Sequence, residues 1–210
     1  MFIAKKLRKT SIAEYLLYMW QIEDIIRAMG CSLPLIRKTY ISKFTDYTDG
    51  QKEEEADWFG NLIRMMNEEG KRDGGHLSIN EIIIHDLTDL HNRLLQSSKF
   101  PFYNSQYYKV LPYIVELRQK NKQAAIRAKQ AEQDGVANNS QMSLLYSDDL
   151  EKGEVETCFI ALYGKMMLQL QQKTVSPETQ HALDDISTFV GMLSDYYIKD
   201  ETEGLKFEDN

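Results

Sequence analysis

Apolar residues recur at i, i+3, i+4 and i+7 along most of the chain, the spacing of amphipathic helices. Two stretches depart from it by being apolar around most of a helix circumference: IAEYLLYMWQIEDIIRAM at 12–29 and VETCFIALYGKMMLQL at 155–170. A helix without a broad polar face, in a chain with no apolar run of membrane length, belongs at the centre of a soluble bundle. The pattern predicts an all-α fold, a single bundle of about six to seven helices with 11–29 and 155–172 central.

Capping residues set the expected boundaries. Ser11-x-x-Glu14 reads as a capping box opening the first helix, and Gly30 as its stop. The basic cluster Lys5, Lys6, Arg8, Lys9 reads as a solvated lead-in. Ser32 with Pro34 starts the second helix. The third is expected after the acidic run Glu53, Glu54, Glu55, which suits a helix N-terminus, with Trp58, Phe59, Leu62, Met65 and Met66 in the core. Ser78-x-x-Glu81 reads as another capping box. Pro112 predicts a break or kink in the helix that starts near Tyr103. Ser176-Pro177-Glu178 opens the last helix, whose buried stripe is Leu183, Ile186, Val190, Leu193 and Tyr197. Residues 119–149 are rich in Gln, Ala and Lys. They can extend a helix into solvent but cannot build a core, and Gly135 to Ser147 reads as a flexible loop. The expected organisation is one helical domain over 1–198, with 119–149 a polar insertion or loop, and a disordered acidic tail at 199–210 dispensable for folding.

Several segments together resemble a known family: IAEYLLYMWQIEDIIRA, GHLSINEIIIHDLTDLHNRLL, YYKVLPYIVELRQK, VETCFIALYGKMMLQLQ and SPETQHALDDISTFVGMLS. The resemblance is to a bacterial family catalogued as domain of unknown function 4924. It spans most of the chain, with the Gln/Ala/Lys-rich stretch and the acidic tail looking like an insertion and an extension. It implies a small cytoplasmic helical protein and brings no catalytic residues.

The 210 residues and 42% hydrophobic content suffice for one folded core. A net charge of -7 without a Lys/Arg-rich face argues against nucleic acid or a membrane surface as partner. Cys31 and Cys158 form no CxxC or zinc spacing and read as reduced thiols. MFIAKKLRK lacks the apolar stretch of a signal peptide, so the cytoplasm is expected.

The strongest catalytic pattern is His85-Asp86, with His76 upstream and Asp184 or Asp185 downstream. That is the order of a metal-dependent hydrolase of HD type. Its catalytic set would be His85, Asp86 and Asp89, and its metal set His76, His85 and Asp86. At about 100° per residue, however, His85 and Asp89 share a polar face while Asp86 and His91 diverge from it. The plainer reading is side-chain pairing of His85 with Asp89 and of Asp89 with Arg93. Glu178-x-x-His181 has di-iron spacing but lacks a second such pair. No Gly-x-Ser-x-Gly, Walker or dinucleotide glycine pattern occurs, so no cofactor is predicted.

Glu23 and Glu156 each fall inside an apolar arc. A buried carboxylate requires a partner, and the candidates are Arg118, His91, Tyr108 and Tyr113, with Arg118 expected for Glu23. Thr157, Ala161 and Gly164 predict a close helix approach. The function these features favour is a non-enzymatic protein-interaction or self-associating module. The alternatives are the HD-type hydrolase and a small-ligand binder at an interhelical pocket holding Glu23 and Glu156.

Overall fold

The computed structural model describes residues 1–133 and 152–207. Among these it contains eight α-helices, a short 3-10 turn and no strand, an all-α fold. The helices are α1 (Phe2–Thr10), α2 (Ile12–Ala28), α3 (Leu33–Thr39), α4 (Asp49–Glu68), α5 (Ser78–Gln96), α6 (Pro101–Gln133), α7 (Glu154–Leu170) and α8 (Pro177–Glu203). The 3-10 turn is Ile41–Lys43.

Helix α2 is apolar all round because it serves two cores. Ile12, Ala13, Leu16 and Trp20 pack with α5, α6, α7 and α8. Met19, Ile22 and Ile26 pack with α1, α3, the 3-10 turn and α4. No single apolar stripe could face both sets of neighbours. Helix α7 contributes Val155, Cys158, Phe159, Ile160, Leu162 and Tyr163 to the first core alone.

The lead-in is itself a helix. α1 buries Ala4, sets Phe2 edge-on to Tyr47, and stretches Arg8 over the rings of Tyr15 and Tyr197. Ser11 then ends α1 and caps α2 by accepting from Glu14 N–H. Helix α4 begins at Asp49, before the acidic run, through a capping box of Thr48 with Gln51. Glu55 is consequently buried inside the helix, paired with the Met1 amino group. Ser78 is the first residue of α5 and not its cap. Its N–H and hydroxyl both donate to Glu69 from the end of α4, at 2.7 and 2.8 Å.

Helix α6 runs through Pro112 without a break and carries residues 119–133 in the same helix; Gly135 to Ser147 lies outside the described residues. Pro112 stands three turns in, where loss of one backbone donor is outweighed by Val110 and Ile114 packed on either side. A β-carbon built on Gly164 would meet nothing within 4 Å, so no neighbouring helix approaches there.

The chain beyond Lys199 is ordered to Phe207, against the expectation of a disordered tail. α8 continues to Glu203, Leu205 N–H donates to Asp200, and Ser97 hydroxyl donates to the Phe207 carbonyl. The Phe207 ring lies 5.4 Å from Phe100 and 4.1 Å beneath the Arg93 guanidinium. Two apolar side chains among acidic ones anchor the segment. Ending the chain at Glu203 is expected to lower stability by about 2 kcal/mol and Tm by roughly 4 to 8 °C in a thermal melt, where a dispensable tail would leave Tm unchanged.

Candidate functional site

Four residues of α2, Trp20, Glu23, Asp24 and Arg27, share one face by the i, i+3, i+4, i+7 rule. The segment joining α4 to α5 folds across that face. Gly70 and Gly75 supply its left-handed turns, with φ of 67° and 75°. Glu23 is fully buried and organises the crossing. One carboxylate oxygen accepts from Leu77 N–H at 2.9 Å and from the Asn80 side-chain amide at 2.7 Å. The other accepts from His76 Nδ1 at 2.7 Å. Arg27 holds the outer part of the same segment, donating to the carbonyls of Lys71 and Gly75 while pairing with Asp24 at 2.9 Å.

His76 is thereby laid flat on Trp20, ring centroids 4.0 Å apart and planes 11° from parallel. Trp20 in turn meets Phe159 and Tyr163 edge-on. The Tyr163 hydroxyl donates to Asp24 at 2.5 Å. Burial, reinforced by that bond, pushes the phenol well above its usual range, so it stays a donor.

Trp20, Asp24, Arg27, His76, Asn80 and Tyr163 line a cleft of about 1460 Å³ between α2, the 69–77 segment, α5 and α7. Its apolar side is made by Ile25, Ile84, Ile160 and Met167. Its cations are largely spoken for: Arg27 by Asp24, Lys71 by Glu81 at 2.8 Å, and Lys152 by Glu156 at 2.8 Å. Two buried polar atoms in residues of the cleft wall have no hydrogen-bond partner, Trp20 Nε1 and Asn80 Oδ1.

The residues anticipated from sequence are distributed unevenly around this geometry. Glu23 is buried as expected, but Arg118 is not its partner. Arg118 is half-buried on α6, whereas the segment ahead of α5 reaches Glu23 with a backbone N–H, an amide and an imidazole. A helical wheel identifies a buried face without saying which neighbour covers it. Glu156 is only half-buried and forms an ion pair within its own turn.

His91 is buried elsewhere, in the core between α5, α6 and α7. Its Nδ1 lies 2.6 Å from the Tyr103 hydroxyl, and its Nε2 lies 3.7 Å from Glu154, which also accepts from Tyr107 at 2.8 Å. Burial pushes the His91 pKa down against the opposing pull of Glu154, and burial pushes the Cys158 thiol up. Neither is chemically poised, and neither lines the cleft.

The hydrolase set is not assembled. His85 is exposed and points to Asp89 at 3.5 Å; Asp86 is exposed; His76 is held by Glu23. Asp184 pairs with Lys165 at 2.7 Å and Asp185 with Lys109 at 2.6 Å. Among the described residues no three His, Cys, Asp or Glu side chains converge as metal ligands.

Trp20, Asp24, Arg27, Asn80 and Tyr163 were not anticipated. The α2 quartet was visible as polar residues at helical spacing, but Asn80 and Tyr163 become neighbours only through the tertiary fold.

The molecule is thus an all-helical bundle in which a buried carboxylate pins an interhelical segment beside a mixed polar and apolar cleft. No helix of the described residues is long and apolar enough to cross a membrane. The chain belongs to the family described as a domain of unknown function (DUF4924), whose model matches residues 1–134 and 139–204. The first matched range extends over residues 119–133 of α6. No curated protein and no solved structure matches the chain.

Proposed function

We propose that the protein binds a small molecule, non-covalently and without catalysis, in the cleft between α2, the 69–77 segment, α5 and α7. The observation that carries this reading is the make-up of the cleft, which is lined both by the polar groups of Asp24, Arg27 and His76 and by the apolar side chains of Ile25, Ile84, Ile160 and Met167. A concave site that combines an apolar wall with a few fixed polar groups has the form of a small-molecule pocket. No nucleophile with an adjacent base lies there, so binding, not turnover, is what the side chains support.

The test is a thermal-shift screen against a metabolite library, with Ala28→Phe as control. Ala28 is exposed at the end of α2 and lines the cleft, so phenylalanine narrows the mouth without touching the core. A ligand at a hundredfold excess over its Kd stabilises by about 2.7 kcal/mol, roughly 5 to 10 °C in Tm. The expected result is such a rise for at least one compound in the parent and its loss in Ala28→Phe. A flat screen of the parent, or equal shifts in both, would overturn the reading.

A second reading, self-association, rests on the outer stripe of α6. Tyr108 is 67% and Val115 46% exposed there, with half-buried Leu111 between them in register. Sedimentation velocity over a wide concentration range would show a dimer for this reading and a constant monomer against it.

A further inference from the structure

The way Glu23 holds His76 fixes more than a ring position. A carboxylate oxygen only accepts, so the proton of the neutral imidazole sits on Nδ1 and the lone pair on Nε2. Nδ1 is engaged, while Nε2 makes no hydrogen bond among the described residues, and His76 lines the cleft. The stack on Trp20 prevents the ring from turning over without losing its face contact. Glu23 itself cannot rotate away, because Leu77 N–H and the Asn80 amide hold its other oxygen.

We propose that His76 Nε2 is a preset hydrogen-bond acceptor, with Glu23 as its positioning residue. It selects ligands that carry an N–H or O–H donor on an apolar body. This rests on the cleft being a ligand site. The apolar body follows from Ile25, Ile84, Ile160 and Met167 on the other side.

Glu23→Gln should reverse the preference. The carbonyl of the new amide is required by Leu77 N–H and the Asn80 amide. Its NH2 group is then turned to His76 Nδ1 and donates there, which moves the imidazole proton to Nε2. The cleft would then present a donor in place of an acceptor, with the ring in the same place.

The probes are indole, which has one N–H donor on an apolar body, and 1-methylindole, which has the body without the donor. Dissociation constants come from NMR titration, and the tautomer from long-range 1H–15N correlation of the His76 ring. The parent is expected to show the Nδ1–H tautomer and to bind indole about three- to tenfold more tightly, the effect of one net hydrogen bond. Glu23→Gln is expected to show the Nε2–H tautomer and a ratio near or below one. Should that variant not fold, the parent's tautomer and ratio decide alone. An Nε2–H tautomer in the parent, equal affinities, or no binding of either indole at millimolar concentration would overturn the proposal. Equal affinities would leave the cleft itself intact as a ligand site, which stands or falls on the thermal-shift screen.

Discussion

Glu23→Ala is expected to destabilise the protein by about 3 to 5 kcal/mol in equilibrium denaturant unfolding. The estimate follows from what the carboxylate leaves behind. Leu77 N–H and the Asn80 amide are buried and bond to Glu23, and His76 loses its Nδ1 partner. Hydrogen bonds to a charged group contribute roughly 1.5 to 3 kcal/mol each, and a stranded buried donor costs about 1 to 3 kcal/mol, with partial relief where water can enter from the cleft. Glu23→Gln keeps the shape and one acceptor and should cost about 1 to 2 kcal/mol. A surface glutamate would cost under about 0.5 kcal/mol in either variant, so equal and negligible effects would place Glu23 outside the core.

Trp20→Ala is expected to cost about 3 to 5 kcal/mol as well, by a different route. The indole is 1% exposed and is one of the largest fully buried side chains. Its removal opens a cavity between Phe159, Tyr163 and His76 that these rings cannot all collapse into. Trp20→Phe preserves part of the packing and removes the unpaired Nε1 hydrogen, so it should cost under half as much. The two alanine variants share His76 as a neighbour. Their effects are therefore expected to be less than additive in the double variant, by about 0.5 to 3 kcal/mol. A strictly additive pair would show that the α2 quartet does not act as one unit.

The helical architecture was legible because burial writes itself into periodicity. The circumferential apolarity of 12–29 had one explanation, and the division of α2 between two cores is that explanation made concrete. Caps were legible where a single side chain does the capping, as at Ser11, Ser32 and Ser176. They were misread at Ser78, which Glu69 reaches from the end of α4, and at Thr48, whose local box with Gln51 lies ahead of the acidic run. α1 was hidden by its lysines, because short basic helices look like solvated chain until a neighbour covers their narrow apolar side. The tail was hidden by composition: Leu205 and Phe207 among acidic residues anchor the segment, and an average over the segment erases them.

The site was half legible. An isolated carboxylate in the apolar arc of α2 announced that Glu23 is buried, but it did not point to the segment that carries His76. Nothing local connects the two, since 53 residues separate Glu23 from His76. A cation does stand near Glu23, but it is Arg27, one turn along the same helix and 3.9 Å away, and not Arg118. The closer partners, Leu77 N–H, the Asn80 amide and His76 Nδ1, all come from the segment that leads into α5, and no helical wheel of α2 contains them.

Amide hydrogen exchange at Leu77 tests the central claim, that buried Glu23 anchors the 69–77 segment and so shapes the cleft. Leu77 lies at the end of that segment, but its N–H is bonded to Glu23 and its side chain is fully buried. The account predicts that this amide exchanges as slowly as interior amides of α2 in the parent. In Glu23→Ala it should exchange as fast as the exposed amides of the glycine turn. A Leu77 amide that already exchanges at the rate of the glycine turn in the parent would contradict the account.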